Sequence, residues 1–190
     1  MLKIITGIAK GKRLQTLEGE ETRPTSERIK QAIFSSIQFD IENRRVLDLF
    51  AGSGQMGLEA LSRGGACATF VDSSREAMDI VKKNAKSTGF FDLCRYCVSD
   101  WRNFVRKEGS MGVKYDLVFI DPPYSAKCCI QALQKLSEAN LLQGGAIVVL
   151  ESGEENPDIN SLDDFEILKS TSYGKKTEVN ILLYKKGVNS

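Results

Sequence analysis

The sequence predicts an α/β domain whose sheet is mostly parallel and covered by helices on both faces, and three observations carry that prediction. Apolar strands alternate with helical segments from residue 46 to residue 150, the pattern of repeated β-α units. Residues 117–120, Leu-Val-Phe-Ile, form a continuous apolar run, as a parallel strand buried on both faces requires. The first strand runs directly into a glycine-rich turn, and open sheets of this kind bind ligands at the carboxyl ends of their strands.

The elements follow in order. Residues 2–6 and 13–17, around Gly7 and Gly11, read as two short strands joined by a basic turn, a small N-terminal β-hairpin appendage within residues 1–20. After Pro24, Thr25 or Ser26 can cap a helix on which Ile29, Ile33 and Ile37 form one apolar stripe. A strand at 46–50 leads to a helix at 55–63 closed by Gly64 and Gly65. A strand at 68–71 is followed by a helix that Ser74 caps and that runs to Thr88 before Gly89. Strands at 94–98 and 117–120, a helix at 126–139 and a strand at 146–150 come next. Residues 165–168 and 179–184 look like a terminal antiparallel pair.

Bulk properties bound the function. A chain of 190 residues without repeats or linkers suits one domain, 1–190, with one active site. Lys plus Arg number 26 against 25 acids, a net charge of +1, so any polyanion must be met by a local patch. The first turn offers one, because Lys3, Lys10, Lys12 and Arg13 precede the first acid, Glu18. Five cysteines, an odd count, argue against a disulfide framework and for a reducing cytoplasm. Cys94 and Cys97 form a C-x-x-C without a second pair, and the chain has no histidine. Neither a Cys/His metal site nor an imidazole base is expected. No apolar run approaches the roughly 18 residues of a membrane span.

The residues at the strand ends carry the chemistry. The first strand closes in Asp48-Leu-Phe50-Ala51-Gly52-Ser53-Gly54-Gln-Met-Gly57. Glycines let this backbone turn tightly and approach a ligand, and the helix that follows aims its free amides there. Gly52, Gly54 and Gly57 also spell G-x-G-x-x-G, so a dinucleotide-binding oxidoreductase competes. Asp48 favours another ligand: a pyrophosphate would be repelled by the acid, whereas the sulfonium and ammonium of S-adenosylmethionine would be attracted. Its bland alternative is a carboxylate capping loop amides. Asp72, followed by Ser73, stands where an acid holds ribose hydroxyls in both ligand classes. Asp100 can accept from an adenine amino group with Trp101 or a neighbour against the ring, and is equally a helix cap.

Asp121-Pro122-Pro123-Tyr124 ends the buried strand. Its two prolines remove amide donors and stiffen the backbone, so the Asp121 carboxylate and the Pro122 carbonyl are fixed acceptors suited to an NH2 group. The lone pair of an exocyclic base amine is delocalised, and acceptors on its protons stabilise the charge that develops on attack. Tyr124 can stack on the base.

These segments resemble a known family. Residues 48–54 are similar to the first motif of class I S-adenosylmethionine methyltransferases, which are Rossmann-like, and residues 121–124 to the (D/N/S)-P-P-(Y/F/W) motif of their amino-methylating branch. More narrowly, I-I-T-G-I-A-K-G-K-R-L at 4–14, T-R-P-T-S-E-R at 22–28, D-L-F-A-G-S-G at 48–54 and G-L-E-A-L-S-R-G at 57–64 resemble the RsmD family, bacterial methyltransferases of guanine N2 in 16S ribosomal RNA. Gln55-Met56 departs from its usual smaller or apolar residues. The resemblance implies a seven-stranded sheet, mostly parallel with an antiparallel last strand. It implies that Asp48, Gly52 and Gly54 hold the amino-acid end of the donor, Asp72 its ribose and Asp100 its adenine. Asp121, Pro122 and Tyr124 would hold the target base, and Arg23, Thr25 and Arg28 would border the donor pocket and the RNA side. Arg28 can equally be an exposed partner of Glu27. The expected partner is 16S ribosomal RNA or the small subunit. Adenine N6 or a glutamine side chain is the alternative acceptor.

Overall fold

A computed structural model describes residues 2–17, 24–123, 127–153, 157–174 and 177–187. Helix α1 spans Pro24–Ser36, β1 Arg45–Asp48, α2 Gln55–Ser62, β2 Cys67–Asp72 and α3 Arg75–Thr88. Then come β3 Cys94–Val98, α4 Trp101–Gly109, β4 Tyr115–Ile120, α5 Cys129–Glu138, β5 Leu142–Ser152, β6 Phe165–Tyr173 and β7 Thr177–Tyr184. The sheet has seven strands in the order β3-β2-β1-β4-β5-β7-β6. The β1, β2, β3, β4 and β5 pairings are parallel, and β7 pairs antiparallel with both β5 and β6. One strand alone runs against the rest, as the resemblance implied.

The sheet divides two cores, because alternate residues of a strand face opposite sides. Val46, Leu117 and Phe119 join α1, α2 and α3 in one core, while Leu47, Val118 and Ile120 join α4 and α5 in the other. Helix boundaries obey local chemistry. Ser74 caps α3 by accepting from the Ala77 amide at 3.2 Å, and Gly89 ends it at φ 87°, a left-handed conformation costly for other residues. Ile29, Ile33 and Ile37 are all buried. Helix α1 already begins at Pro24, a residue suited to a first helical turn; the side chains of Thr25 and Ser26 lie outside the described residues. Among the described residues, no helix is long and apolar enough to cross a membrane.

Two expectations need correction. The N-terminal strand pair reduces to one antiparallel bridge, Lys3 with Arg13, flanked by Ile4 N to Lys12 O and Leu14 N to Leu2 O, both 2.9 Å. The ladder stops because α2 takes the next donors: Ile5 N and Thr6 N donate to the Glu59 carboxylate at 2.7 and 3.0 Å, and Ile8 N to Ser62 O at 2.8 Å. The segment is no loose appendage, since Leu2, Ile4, Ala9 and Leu14 lie in the first core. The second correction is α4, a helix absent from the expected order. Asp100 caps it, and Trp101, Phe104 and Val105 give it a buried face.

Candidate active site

Four acids stand at the carboxyl ends of four adjacent parallel strands. Asp48 ends β1, Asp72 ends β2, Asp100 lies two residues beyond β3, and Asp121 lies one beyond β4. The chain leaves β1 toward β2 and β3, then returns on the other side of β1 as β4. That reversal is the switch point, where the loops part and open a crevice. Its two walls are the turn after β1 and the segment after β4. The register Asp48 with Phe119, continued by Leu49 N donating to Phe119 O at 3.1 Å, sets Asp121 level with Phe50.

The turn after β1 is held from several sides. Ala51 N donates to Val71 O at 2.9 Å, and Gly54 N closes back on Ala51 O at 2.6 Å. Gly52 and Gly54 have φ of 50° and 77°, which glycine adopts without steric cost. A Cβ at Gly52 would enter open space, so a ligand can approach this backbone. Gly57 differs, because a Cβ there would lie 2.4 Å from Phe70 Cε1. The last glycine of G-x-G-x-x-G therefore lets α2 pack on β2, and it does not discriminate between ligands.

Asp48 is 3% exposed, and its carboxylate accepts from the Gly57 amide at 3.1 Å. Burial raises its pKa to about 7, offset in part by that amide and reinforced by nearby Asp72. It is therefore a buried acid that a neighbouring cation would ionise. Asp72 accepts from Gly52 N at 2.9 Å and from Ser74 N at 2.8 Å, so it ties the turn to the start of α3. Each of its oxygens keeps a second lone pair for a hydroxyl. Ser73 beside it is exposed.

Asp100 serves as the α4 cap, accepting from Arg102 N at 2.8 Å and Asn103 N at 3.3 Å. Trp101 is placed as a core side chain, 6% exposed, with the Phe50 ring at 6.2 Å and the Arg102 guanidinium 4.5 Å over its own ring. Little of its face is left for an adenine. The α4 geometry turns it inward, and the half-buried Phe50 is the aromatic nearer the crevice. After β4, Asp121 is exposed, Pro122 buried and Pro123 exposed. Tyr124 and Arg23 lie outside the described residues, as does the side chain of Thr25. Lys10, Lys12 and Arg13 are exposed around the N-terminal turn, and Arg28 is exposed on α1.

The family model described as "Conserved hypothetical protein 95" matches residues 2–183. The chain belongs to this family. "Putative rRNA methyltransferase YlbH" of Bacillus subtilis is 30% identical over 97% of this chain and 99% of its own length. "Ribosomal RNA small subunit methyltransferase D" of Haemophilus influenzae is also 30% identical, over 91% and 89%. Among solved structures, "Putative methyltransferase yhhF from Escherichia coli" superposes with a TM-score of 0.85 at 27% identity, covering 97% of this chain and 98% of that one. The match of the family model spans both the N-terminal segment and the sheet, in keeping with their shared core. The RsmD resemblance read from four short segments thus extends over nearly the whole chain.

Within this family member, several residues that support the site carry no local signal. Glu59 is fully buried and, besides the two amides, receives Arg63 Nε at 2.9 Å and faces Lys30 Nζ at 3.8 Å. Ser62 Oγ accepts from Ala9 N at 3.0 Å and donates to Thr6 O at 2.6 Å. Asn84, on α3, donates to Ser53 O at 2.9 Å. Their partners are at least 29 positions away apart from Arg63, so residue type alone could not reveal them; the one available hint was polar residues on otherwise apolar helix faces.

Proposed function

We propose that this chain transfers a methyl group from S-adenosylmethionine to the exocyclic N2 amino group of a guanine in 16S ribosomal RNA. The observation that carries this reading is the placement of Asp121-Pro122 directly across the switch point from the glycine turn. Two rigid acceptors and a cation-tolerant acidic turn then face one crevice. Relatives named as ribosomal RNA methyltransferases, including one of the small subunit, support the RNA substrate.

The residues fit the donor. Asp48 supplies a buried acid for a cationic ligand, Asp72 has lone pairs for ribose, and the space over Gly52 admits a ligand to the backbone. When bound, S-adenosylmethionine supplies a methyl group on a positively charged sulfur that leaves readily. Asp121 and the Pro122 carbonyl accept from the two amino protons, orienting the nitrogen lone pair toward that methyl. As the nitrogen–carbon bond forms and the carbon–sulfur bond breaks, both acceptors stabilise the positive charge on nitrogen. The surplus proton leaves toward the carboxylate that already accepts it. Holding the reactants in line contributes much of the rate, and a base must be unpaired or flipped to reach the crevice. The exposed Lys10, Lys12 and Arg13, with Arg28, contribute charge for phosphate contacts.

Incubation with isotopically labelled S-adenosylmethionine and small subunits lacking the modification, followed by nucleoside mass spectrometry, tests the proposal. N2-methylguanosine in the small-subunit RNA is expected. Label in N6-methyladenosine or in a glutamine side chain overturns the guanine assignment, and no transfer to RNA or protein overturns the reaction.

A further inference from the structure

We infer that Asn84 is a positioning residue through which the N-terminal segment sets the affinity of the glycine turn for the methyl donor. The inference rests on the reading that S-adenosylmethionine binds at residues 48–54. Asn84 is 1% exposed and uses both of its amide protons, one to Ser53 O at 2.9 Å and one to Gln15 O at 3.0 Å. Its oxygen accepts from Gln15 N at 2.8 Å. One side chain thus grips both backbone groups of Gln15 and the carbonyl in the middle of the turn.

That carbonyl has unusual freedom. Ser53 sits between Gly52 and Gly54, both at positive φ, and glycine populates several backbone regions at similar cost. Intrinsic preference cannot select one orientation of the Ser53 carbonyl, so its partners must. The Gly52 amide is held by Asp72; the Ser53–Gly54 peptide is held at its N–H by Ala51 O and at its oxygen by Asn84. Rotation of that peptide would change which groups of the turn face the crevice.

Gln15 gives this contact its reach. The N-terminal segment is fastened to α2 through Glu59 and Ser62 and to α3 through Asn84, so it straddles the turn that joins β1 to α2. Lys10, Lys12 and Arg13 of the same segment lie between these two anchors. RNA pulling on them acts on the donor turn through Asn84, and a donor that orders the turn also orders the segment. The coupling is reciprocal, as linkage requires.

The test measures S-adenosylhomocysteine binding by calorimetry for wild type, Asn84→Ala, Gln15→Pro and Thr88→Ala, with thermal melts of each. The Thr88 hydroxyl donates to the main-chain carbonyls of Asn84 and Ala85 in its own helix, away from the Asn84 side-chain amide, and its variant serves as a destabilised control with an intact turn. Asn84→Ala leaves the buried Ser53 carbonyl without its donor and should weaken binding roughly tenfold, whereas Thr88→Ala leaves affinity unchanged at a lowered melting temperature. In turnover assays Asn84→Ala should raise the donor KM while kcat at saturating donor holds. Gln15→Pro deletes the amide given to Asn84 yet spares the Ser53 contact, and it should weaken binding in the same direction by a smaller factor. Unchanged affinity in folded Asn84→Ala overturns the inference. Should that variant not fold, unchanged affinity in Gln15→Pro does so. Failure of the wild type to bind S-adenosylhomocysteine instead refutes the donor reading beneath it.

Discussion

Glu59→Gln isolates the charge that fastens the N-terminal segment to the fold. The substitution keeps the size of the side chain but leaves Lys30, 2% exposed, without its counter-charge at 3.8 Å. It also sets an amide NH2 against donors, because Ile5 N, Thr6 N and Arg63 Nε all point at the Glu59 oxygens. Removing one partner of a buried pair costs about 3–5 kcal/mol, a large share of the roughly 5–15 kcal/mol that stabilises a domain. Urea unfolding followed by circular dichroism measures the loss. The deficit should also depend on pH. Burial already depresses the Lys30 pKa below 10.5, while Glu59 raises it; without Glu59 the depression deepens. Above its folded pKa Lys30 is then neutral in the native state while the unfolded chain still holds the proton, so native stability rises with pH. The deficit of Glu59→Gln should shrink as pH climbs from 7 toward 10. A loss below about 1 kcal/mol, at the level of an exposed pair, or a deficit independent of pH would refute the reasoning.

Three more predictions concern the site. Gly57→Ala drives a methyl into Phe70 at 2.4 Å and should cost about 1–3 kcal/mol in urea unfolding; Phe70→Leu in the same chain should recover part of it. Asp121→Ala should lower kcat by roughly a hundredfold or more, the scale for one group that stabilises developing charge, while calorimetry finds S-adenosylhomocysteine binding little changed. Asp48, with its pKa raised to about 7 by burial, stays protonated in the free protein where the unfolded chain, near 3.8, has ionised. Native stability therefore falls as pH rises from about 4 to 7, and Asp48→Asn should flatten that fall in pH-dependent melts. The ammonium group that S-adenosylhomocysteine retains favours the ionised form, so its binding should strengthen from pH 6 to 8 with proton release, read from calorimetry in buffers of different ionisation enthalpy; flat affinity counts against Asp48 facing that ammonium.

Local patterns made most of the sheet legible. The apolar runs at β1, β2 and β4, and the Ser74 and Gly89 limits of α3, express chemistry confined to a few neighbouring residues. Helix α4 is missing from the expected order although Asp100 reads equally as a helix cap, because the cap is not joined there to the apolar stripe of Trp101, Phe104 and Val105 that follows it. Strand β5 runs from Leu142 through Gly144 and Gly145, glycines that read as a break; its register with β4 shifts there between Tyr115 and Leu117. Strand β6 continues past Leu168 through Lys169, Ser170, Thr171 and Ser172, polar residues that an edge strand tolerates because one side of it meets solvent. The Glu59 and Asn84 contacts were illegible for another reason: Asn84 meets a residue 69 positions away, and no periodicity encodes such a pairing.

The site also shows why structural and functional readings of an acid need not compete. Asp72 caps the Ser74 amide and the Gly52 amide at once, and those two bonds fix where its remaining lone pairs point. Asp100 is held the same way by the first amides of α4. Asp48 is held by Gly57, which must be glycine for α2 to approach β2 closely enough to bring that amide within reach. In each case the backbone contact immobilises a carboxylate before any ligand arrives. A group already fixed loses little rotamer entropy on binding, so the capping bonds that stabilise the fold would also prepare the proposed donor site. It follows that replacing any of these acids with alanine disturbs backbone and ligand together. Amide substitutions, which keep an acceptor for the backbone while removing the charge, are the ones that separate the two roles.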